Sequence, residues 1–331
     1  MDNKTVIYNC WTVNFRFPAV FLTTVYIIVF IFGLLGNCFG LKSIVTNWRK
    51  LGNIKIFALN LCIADILYLL TLPFLVNYQV SLQHWIFGQH LCKITRFLFN
   101  ANLYGSIGFL TCISVYRYLS VVHTLKVKGR IKVWHSVGIA ALVWVMVLLQ
   151  CLPDVYFDKT AHLNRSQCYD TTTNTSMESY LKYSITQTIT GFVIPLVLMV
   201  CCYGHIAVIL TTRKDTGDTM LKLKCLRLVV ILAMLFFICY IPIHIFRNLN
   251  LMTRISKIKY NICKTWYPSV YIAKQISDGL SCQNSAINPL VYFMNSDNLL
   301  KKCFHFRKKK RQEDPRLPDP TMEQTNLTYL K

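Results

Sequence analysis

The chain has 331 residues, 54% of them hydrophobic and only 15% charged, against roughly 25% charged in ordinary soluble chains, so an ordinary soluble domain is excluded. Its formal net charge of +22 sits in short loops between apolar runs, which is not the distribution of a nucleic-acid binder. The 14 cysteines lack the CxxC or Cys/His spacing of a metal site, and most read as buried thiols acting as small hydrophobes.

A helix that crosses hydrocarbon needs roughly 20 largely apolar residues. Seven stretches meet this: 19–46, 54–80, 90–121, 134–157, 179–211, 223–251 and 267–293. Polar residues interrupt several, as they do where one face packs against other helices. The pattern predicts an all-α membrane protein, a seven-transmembrane helix bundle over 19–293. Residues 1–18 form an extracellular amino terminus, without the basic-apolar-small pattern of a cleaved signal peptide. Ser296, Asp297 and Asn298 are positioned to cap a short amphipathic eighth helix over 294–307. It would lay Leu299, Leu300, Cys303, Phe304 and Phe306 on membrane lipid, with Cys303 a candidate palmitoylation site or an unmodified thiol. The polar tail, 308–331, is expected to be disordered.

Loop charge sets the orientation. Arg49, Lys50 and Lys55 follow the first stretch. Arg117, Lys126, Lys128, Arg130 and Lys132 follow the third. Arg213, Lys214, Lys222, Lys224 and Arg227 follow the fifth, and Arg307 to Arg311 lie in the tail. That side is expected to be cytoplasmic, which puts the amino terminus outside. The N-x-S/T acceptors at Asn3, Asn164 and Asn174 then face outward, where they read as glycosylation sites. So do Cys10, Cys92, Cys168 and Cys263, in an oxidising compartment. Four cysteines allow three pairings. The favoured one joins Cys92 to Cys168, tying the third helix to the second outer loop, and leaves Cys10 with Cys263.

Motifs in successive stretches carry a family resemblance. GLLGN ends at Asn37, and LNLCIADILYLLTLP contains Asp65. Cys92, Ser106 and Tyr116-Arg117-Tyr118 lie in the third stretch, Trp144 in the fourth, and Pro195 with Tyr203 in the fifth. FFICYIP, with Phe236, Cys239 and Pro242, marks the sixth. Asn288-Pro289-Leu290-Val291-Tyr292 closes the seventh. The ordered set resembles the rhodopsin-type (class A) G-protein-coupled receptors over residues 18–306. That resemblance implies a plasma-membrane receptor whose activation involves Arg117, Tyr203, Pro242 and Tyr292, with a heterotrimeric G protein as partner.

It also implies that Ser106, Asn284 and Asn288 gather around Asp65 as ligands for an allosteric sodium ion, the only cofactor expected. A protonated, hydrogen-bonded Asp65 is the competing reading of this mid-membrane carboxylate. Pro195, Pro242 and Pro289 each remove a backbone donor and bend their helices, giving the two packings a switch needs. One position departs from the pattern. Tyr116 stands before Arg117 where the family commonly has an acid, and raised basal activity is expected from the missing lock.

The ligand reading starts from basic residues on the outer side. Arg96, Asn100 and Tyr104 fall on one helical face. Arg247 stands one turn above His244 in the sixth stretch, and Lys274 lies in the seventh. Cations from three helices lining one cavity concentrate an anion, and arginine forks two donors onto phosphate or carboxylate. Snorkelling to the surface is the competing reading for each.

NANLYGSIGFLTCISVYRY, CYDTT, YSITQTITGFVIPLVLMVCCYG and YIPIHIFRNLNLMTR resemble the metabotropic purinergic receptors for nucleotides, and the related succinate and 2-oxoglutarate receptors. The resemblance implies anion contacts at Arg96, Tyr104, His244 and Arg247, with Asp170 pairing with a basic residue of the seventh stretch. Asp278 departs from it, since nucleotide and succinate receptors carry Arg there. Asp278 pairs either with Lys274 at i,i+4 or with Arg247 across the cavity. A zwitterionic ligand that meets both signs is a further reading.

Other classes fit less well. A transporter commonly shows repeats in matching halves, and none is visible here. An enzyme is not expected, since His84, His90, His123, His162 and His244 are dispersed with no nucleophile or metal pattern. A non-signalling decoy is countered by the presence of Arg117, Tyr203 and Tyr292.

Overall fold

The computed structural model describes residues 16–46, 52–122, 131–162, 166–212 and 219–294. Helix α1 is Arg16–Thr46. The second stretch is two helices, α2 (Asn53–Leu69) and α3 (Leu72–Val80). Then come α4 (Gly88–Val122) and α5 (Val133–Tyr156). A hairpin of β1 (Thr160–His162) and β2 (Ser166–Cys168) follows. The fifth stretch is α6 (Met177–Thr188), a π turn (Ile189–Val193) and α7 (Ile194–Thr212). Helices α8 (Thr219–Tyr260) and α9 (Tyr267–Met294) complete the bundle. Helix is the form these runs must take, because hydrocarbon offers no partner for an open backbone amide or carbonyl. Among the described residues, five segments are long and apolar enough to cross a membrane: α1, α2 with α3, α4, α5, and the fifth stretch. In α9 the apolar run is broken by buried polar side chains such as Ser281, Asn284, Ser285 and Asn288.

The breaks have local causes. Pro73 lacks an N–H, so the helix ends at Leu69, turns through Thr71 N–H to Tyr68 carbonyl (2.8 Å) and restarts with Pro in its first turn. In the fifth stretch the Ile194 N–H reaches back five residues to Ile189, and the wider turn stands just before Pro195. Gly191 sits in that turn, where a Cβ would stand 2.5 Å from the Tyr104 ring. The sixth stretch overruns its expected end at 251 by more than two turns. Nothing between Met252 and Tyr260 breaks a helix, and it stops only at Asn261, in the left-handed region at φ 52°. Arg254, Lys257 and Lys259, beyond that expected end, therefore lie on the helix.

Side-chain hydrogen bonds tie the helices together. Asn37 Nδ2 donates to the carbonyls of Gly33 (2.9 Å) and Ser285 (2.8 Å), closing α1 on α9. Gly36 lets Pro289 approach; a Cβ there would be 2.9 Å from the proline ring. Trp144 Nε1 donates to Asn60 Oδ1 at 2.9 Å, joining α5 to α2. Between lipid-solvated helices, close packing and such bonds replace the hydrophobic drive that works in water.

The bundle end that carries the hairpin is fastened by buried charge. The expected Cys92–Cys168 disulfide is present. Lys159, 1% exposed, donates to Asp154 Oδ1 at 2.7 Å and to the Thr171 carbonyl. Its ammonium also lies 4.7 Å from the Tyr180 ring centroid. Burial pushes the Lys159 ammonium below its ordinary range, to about 8, against the pull of Asp154. On the other side of the loop, Arg254 donates to Thr171 Oγ1 (3.0 Å), Thr172 carbonyl (3.1 Å) and Asn174 Oδ1 (3.0 Å).

Sequence reading passes over this lysine and its partner, and the pair predicts a measurable asymmetry. Lys159→Met strands Asp154 and lowers stability by about 3–5 kcal/mol, while Asp154→Leu with Lys159→Met recovers most of the loss. Thermal unfolding of the detergent-solubilised chain checks this, and additive losses in the double variant would refute it.

Candidate functional site

Arg247, on α8 one turn above His244, is the most unusual charge in the bundle. It is 4% exposed. Its Nη2 donates to Tyr104 Oη at 2.7 Å and to Gln187 Oε1 at 3.4 Å. Both acceptors are neutral, and Arg247 Nε has no partner. Among the described residues no carboxylate pairs with it. His244 is 2% exposed, and neither ring nitrogen has a partner. A buried guanidinium with unused donors beside an unbonded imidazole is chemically suited to an anion, since leaving such groups bare is costly.

The other expected contacts divide. Arg96 Nη2 donates to the Cys168 carbonyl at 2.9 Å, which directs it toward the hairpin, and its buried Nε is unpartnered. Asn100 does not join Arg247. Its Nδ2 donates to Asp154 Oδ2 at 3.2 Å, because Asp154, buried at the end of α5, needs donors. Lys274 donates to Asp278 Oδ2 at 2.7 Å and also pairs with Asp170. Asp278 therefore resolves to Lys274, and the alternative pairing with Arg247 is not formed. Gln187 escapes sequence reading. It lies at the close of α6, and a lone glutamine in an apolar run gives no signal of its own.

A column of rings leads from this site into the bundle. Tyr104 and His244 have ring centroids 5.8 Å apart, and His244 stacks on Phe192 at 4.3 Å. Phe192 stacks on Phe236 at 6.1 Å, and Phe236 meets Tyr240 at 4.8 Å. Asn284 Nδ2 donates to Tyr240 Oη.

Asp65 is fully buried. Asn102 Nδ2 donates to its Oδ1 at 2.8 Å and Asn288 Nδ2 to its Oδ2 at 2.9 Å, while Ser285 Oγ donates to Asn102 Oδ1 at 3.1 Å. Of the expected set, Asn288 bonds Asp65, Asn284 bonds Tyr240 instead, and the buried Ser106 hydroxyl has no partner. Asn102 and Ser285 are additions to that set; their spacing from Ser106 and Asn288 on the same helices was the available clue.

At the opposite end, Tyr116 Oη accepts from Asn53 Nδ2 at 3.0 Å, and the same amide donates to the Ile131 carbonyl at 3.0 Å. In place of an acid, Tyr116 ties α4 to α2 and to the chain entering α5. Ser114 Oγ pairs with Tyr203 Oη, and Tyr118 Oη with His205 Nδ1 at 3.1 Å, joining α4 to α7. Pro242 lies inside α8. An apolar crevice lined by Met199, Tyr203, Gly204 and Phe236 opens between α7 and α8. It holds none of the anion-site residues and is not that site.

Asn174 is exposed. Cys263 is disulfide-bonded; its expected partner Cys10, the acceptors Asn3 and Asn164, Cys303, the eighth helix and the tail lie outside the described residues, as does the side chain of Tyr292.

Seven helices with a buried arginine site toward one end and an Arg117 motif at the other define a seven-helix membrane receptor. Residues 36–292 match the family described as the seven-transmembrane receptors of the rhodopsin family, and the chain belongs to that family. It is 38% identical to purinoceptor 1 of the Y type from Gallus gallus over 321 residues, 96% of this chain and 88% of that one. Against the same purinoceptor of Homo sapiens it is 36% identical over 96% of this chain and 86% of that one. Against 2-oxoglutarate receptor 1 of Rattus norvegicus it is 34% identical, covering 90% and 87%. The chain is a multi-pass plasma-membrane receptor, not an enzyme, and it takes a small-molecule ligand and couples to a G protein.

Proposed function

We propose that this receptor binds a small extracellular anion, a nucleotide of the ADP or UDP kind first among them, and answers by activating a heterotrimeric G protein with calcium signalling. The observation that carries the reading is Arg247, buried with no carboxylate partner among the described residues and with its Nε unused. Similarity to the Y-type purinoceptor 1 supports the nucleotide. A dicarboxylate is the second reading, favoured by the similarity to 2-oxoglutarate receptor 1. The hairpin end faces outward and the amino terminus with it. The basic stretches after α1, α4 and α7 lie on the inner side, against anionic lipid.

The mechanism is a population shift. A phosphate or carboxylate on Arg247 draws on Tyr104 and His244, and so on the ring column that ends at Tyr240 and Asn284. A ligand biases the equilibrium only by its differential affinity for the two packings. The favoured packing bends α8 at Pro242, swings its inner end outward and frees Arg117 for the G protein.

A sodium ion fits at Asp65. The site offers a buried carboxylate with no cationic partner among the described residues and the unpartnered Ser106 hydroxyl. Asp65 and Ser106 would hold the ion with the side-chain carbonyls of Asn284 and Asn288, and the ion would supply the positive charge that steadies the resting packing.

Three outcomes test these statements. Arg247→Ala abolishes the calcium response to ADP or UDP, with Arg247→Lys intermediate because a compact ammonium cannot reproduce the planar fork; an unaltered response in Arg247→Ala refutes the site. Replacing sodium by choline in the medium raises agonist potency in the parent and leaves Asp65→Asn unchanged; an equal shift in both removes sodium from the scheme. Tyr116→Asp, which installs an acid beside Arg117, lowers ligand-free signalling at matched surface expression. No fall would show that the bond between Tyr116 and Asn53 already restrains Arg117 as well as an acid does.

A further inference from the structure

We propose that Asp278 determines the ligand's charge: with Asp170 it withdraws Lys274 from the anion site, so the site grips one anionic group at Arg247 and draws little from the further charges of an extended polyanion. This rests on the anion reading above and specifies its ligand class.

The three basic side chains nearest the site are in different states. Arg247 bonds only neutral oxygens and keeps a free donor. Arg96 is bonded to a carbonyl and also keeps a buried unpartnered Nε. Lys274, 3% exposed at its side chain, is held at 2.7 Å by Asp278 one turn further along α9, and by Asp170 from the segment after β2. Two carboxylates on one ammonium leave that trio with one surplus negative charge, and Arg96 is the cation within electrostatic reach of it. A second phosphate reaching toward α9 meets that surplus instead of a cation.

Nor can a ligand recruit Lys274 easily. Breaking a buried ion pair leaves its partner uncompensated, and here two partners would be left. The single anionic group therefore sits between α4, α6 and α8, and the neutral end of the ligand lies toward α9. A cationic group at that end would also be welcome, since it would meet the surplus carboxylate.

The test uses AMP, ADP and ATP, the matching uridine series, and propionate against succinate, as a mono- and a dicarboxylate. The receptors are the full-length parent, Asp278→Asn, and Asp278→Asn with Lys274→Ala, at matched surface expression. In the parent, potency along the mono-, di- and triphosphate series stays within about fivefold, as for poorly matched charges. In Asp278→Asn, Lys274 is released, and the diphosphate gains on the monophosphate by about tenfold or more, the effect of one charge-assisted contact. Adding Lys274→Ala returns the series to the parental order. Asp170→Asn, on the part-exposed side of the clamp, moves potency in the same direction by less, and decides the matter should Asp278→Asn not reach the surface.

A responding parent that already prefers di- or triphosphate by about tenfold overturns the proposal, as does a variant series in the parental order. Either result leaves the anion site standing. Silence of parent and variants alike toward every probe overturns both.

Discussion

An arginine enclosed by helices and bonded only to neutral oxygens is the constraint around which the ligand-binding half of this molecule is arranged. The Coulomb energy of an unpaired charge grows as the dielectric falls, so every group that can lean toward Arg247 does. Tyr104 and Gln187 turn oxygens to it, and His244, one turn away, is left with bare nitrogens. Three acids near this end are already engaged. Asp154 holds Lys159, and Asp170 and Asp278 hold Lys274. The bundle thus pairs these other buried charges and leaves this one open, which distinguishes a binding site from a structural ion pair.

The same accounting runs down the bundle. Polar side chains also join the helices in pairs, Asn37 with Ser285, Trp144 with Asn60 and Asn102 with Asp65. Where a set does not close, as at the buried Ser106 hydroxyl, the contact between helices is held more loosely. Signal transmission needs such loosely held points. A bundle in which every bond was satisfied would have one packing and nothing to switch.

Much of this was legible in the residues. Seven apolar runs announced the helices, and the favoured Cys92–Cys168 bond is present. The motif positions pointed to Arg247, Tyr104 and His244, which the structure brings together, and to Asp65. What the sequence hid was pairing. Asn100 shares a helical face with Tyr104, yet it answers Asp154 on a neighbouring helix, and sequence spacing carries no record of that neighbour. Asn284, expected at Asp65, bonds Tyr240, because that tyrosine brings a buried hydroxyl that the motif does not count. Lys159 reads as an ordinary loop lysine; only the folded loop shows it buried. The sixth apolar run likewise reads as ending at 251, where the chain runs on as helix because nothing there breaks one.

The π turn at Ile189–Val193 has a consequence for how this chain is compared with others. A π turn holds one residue more than the α-helical turn it replaces. Counting back from Pro195 along an ideal helix therefore assigns every residue before Ile189 to a face about 100° from its true one. Gln187 would be placed on a different face of its helix by that count, and Thr188, whose hydroxyl accepts from Asn248 Nδ2 at 3.0 Å, would be taken for the residue that touches Arg247. Any numbering scheme that carries pocket positions onto the fifth span of this receptor needs a gap of one residue at that turn.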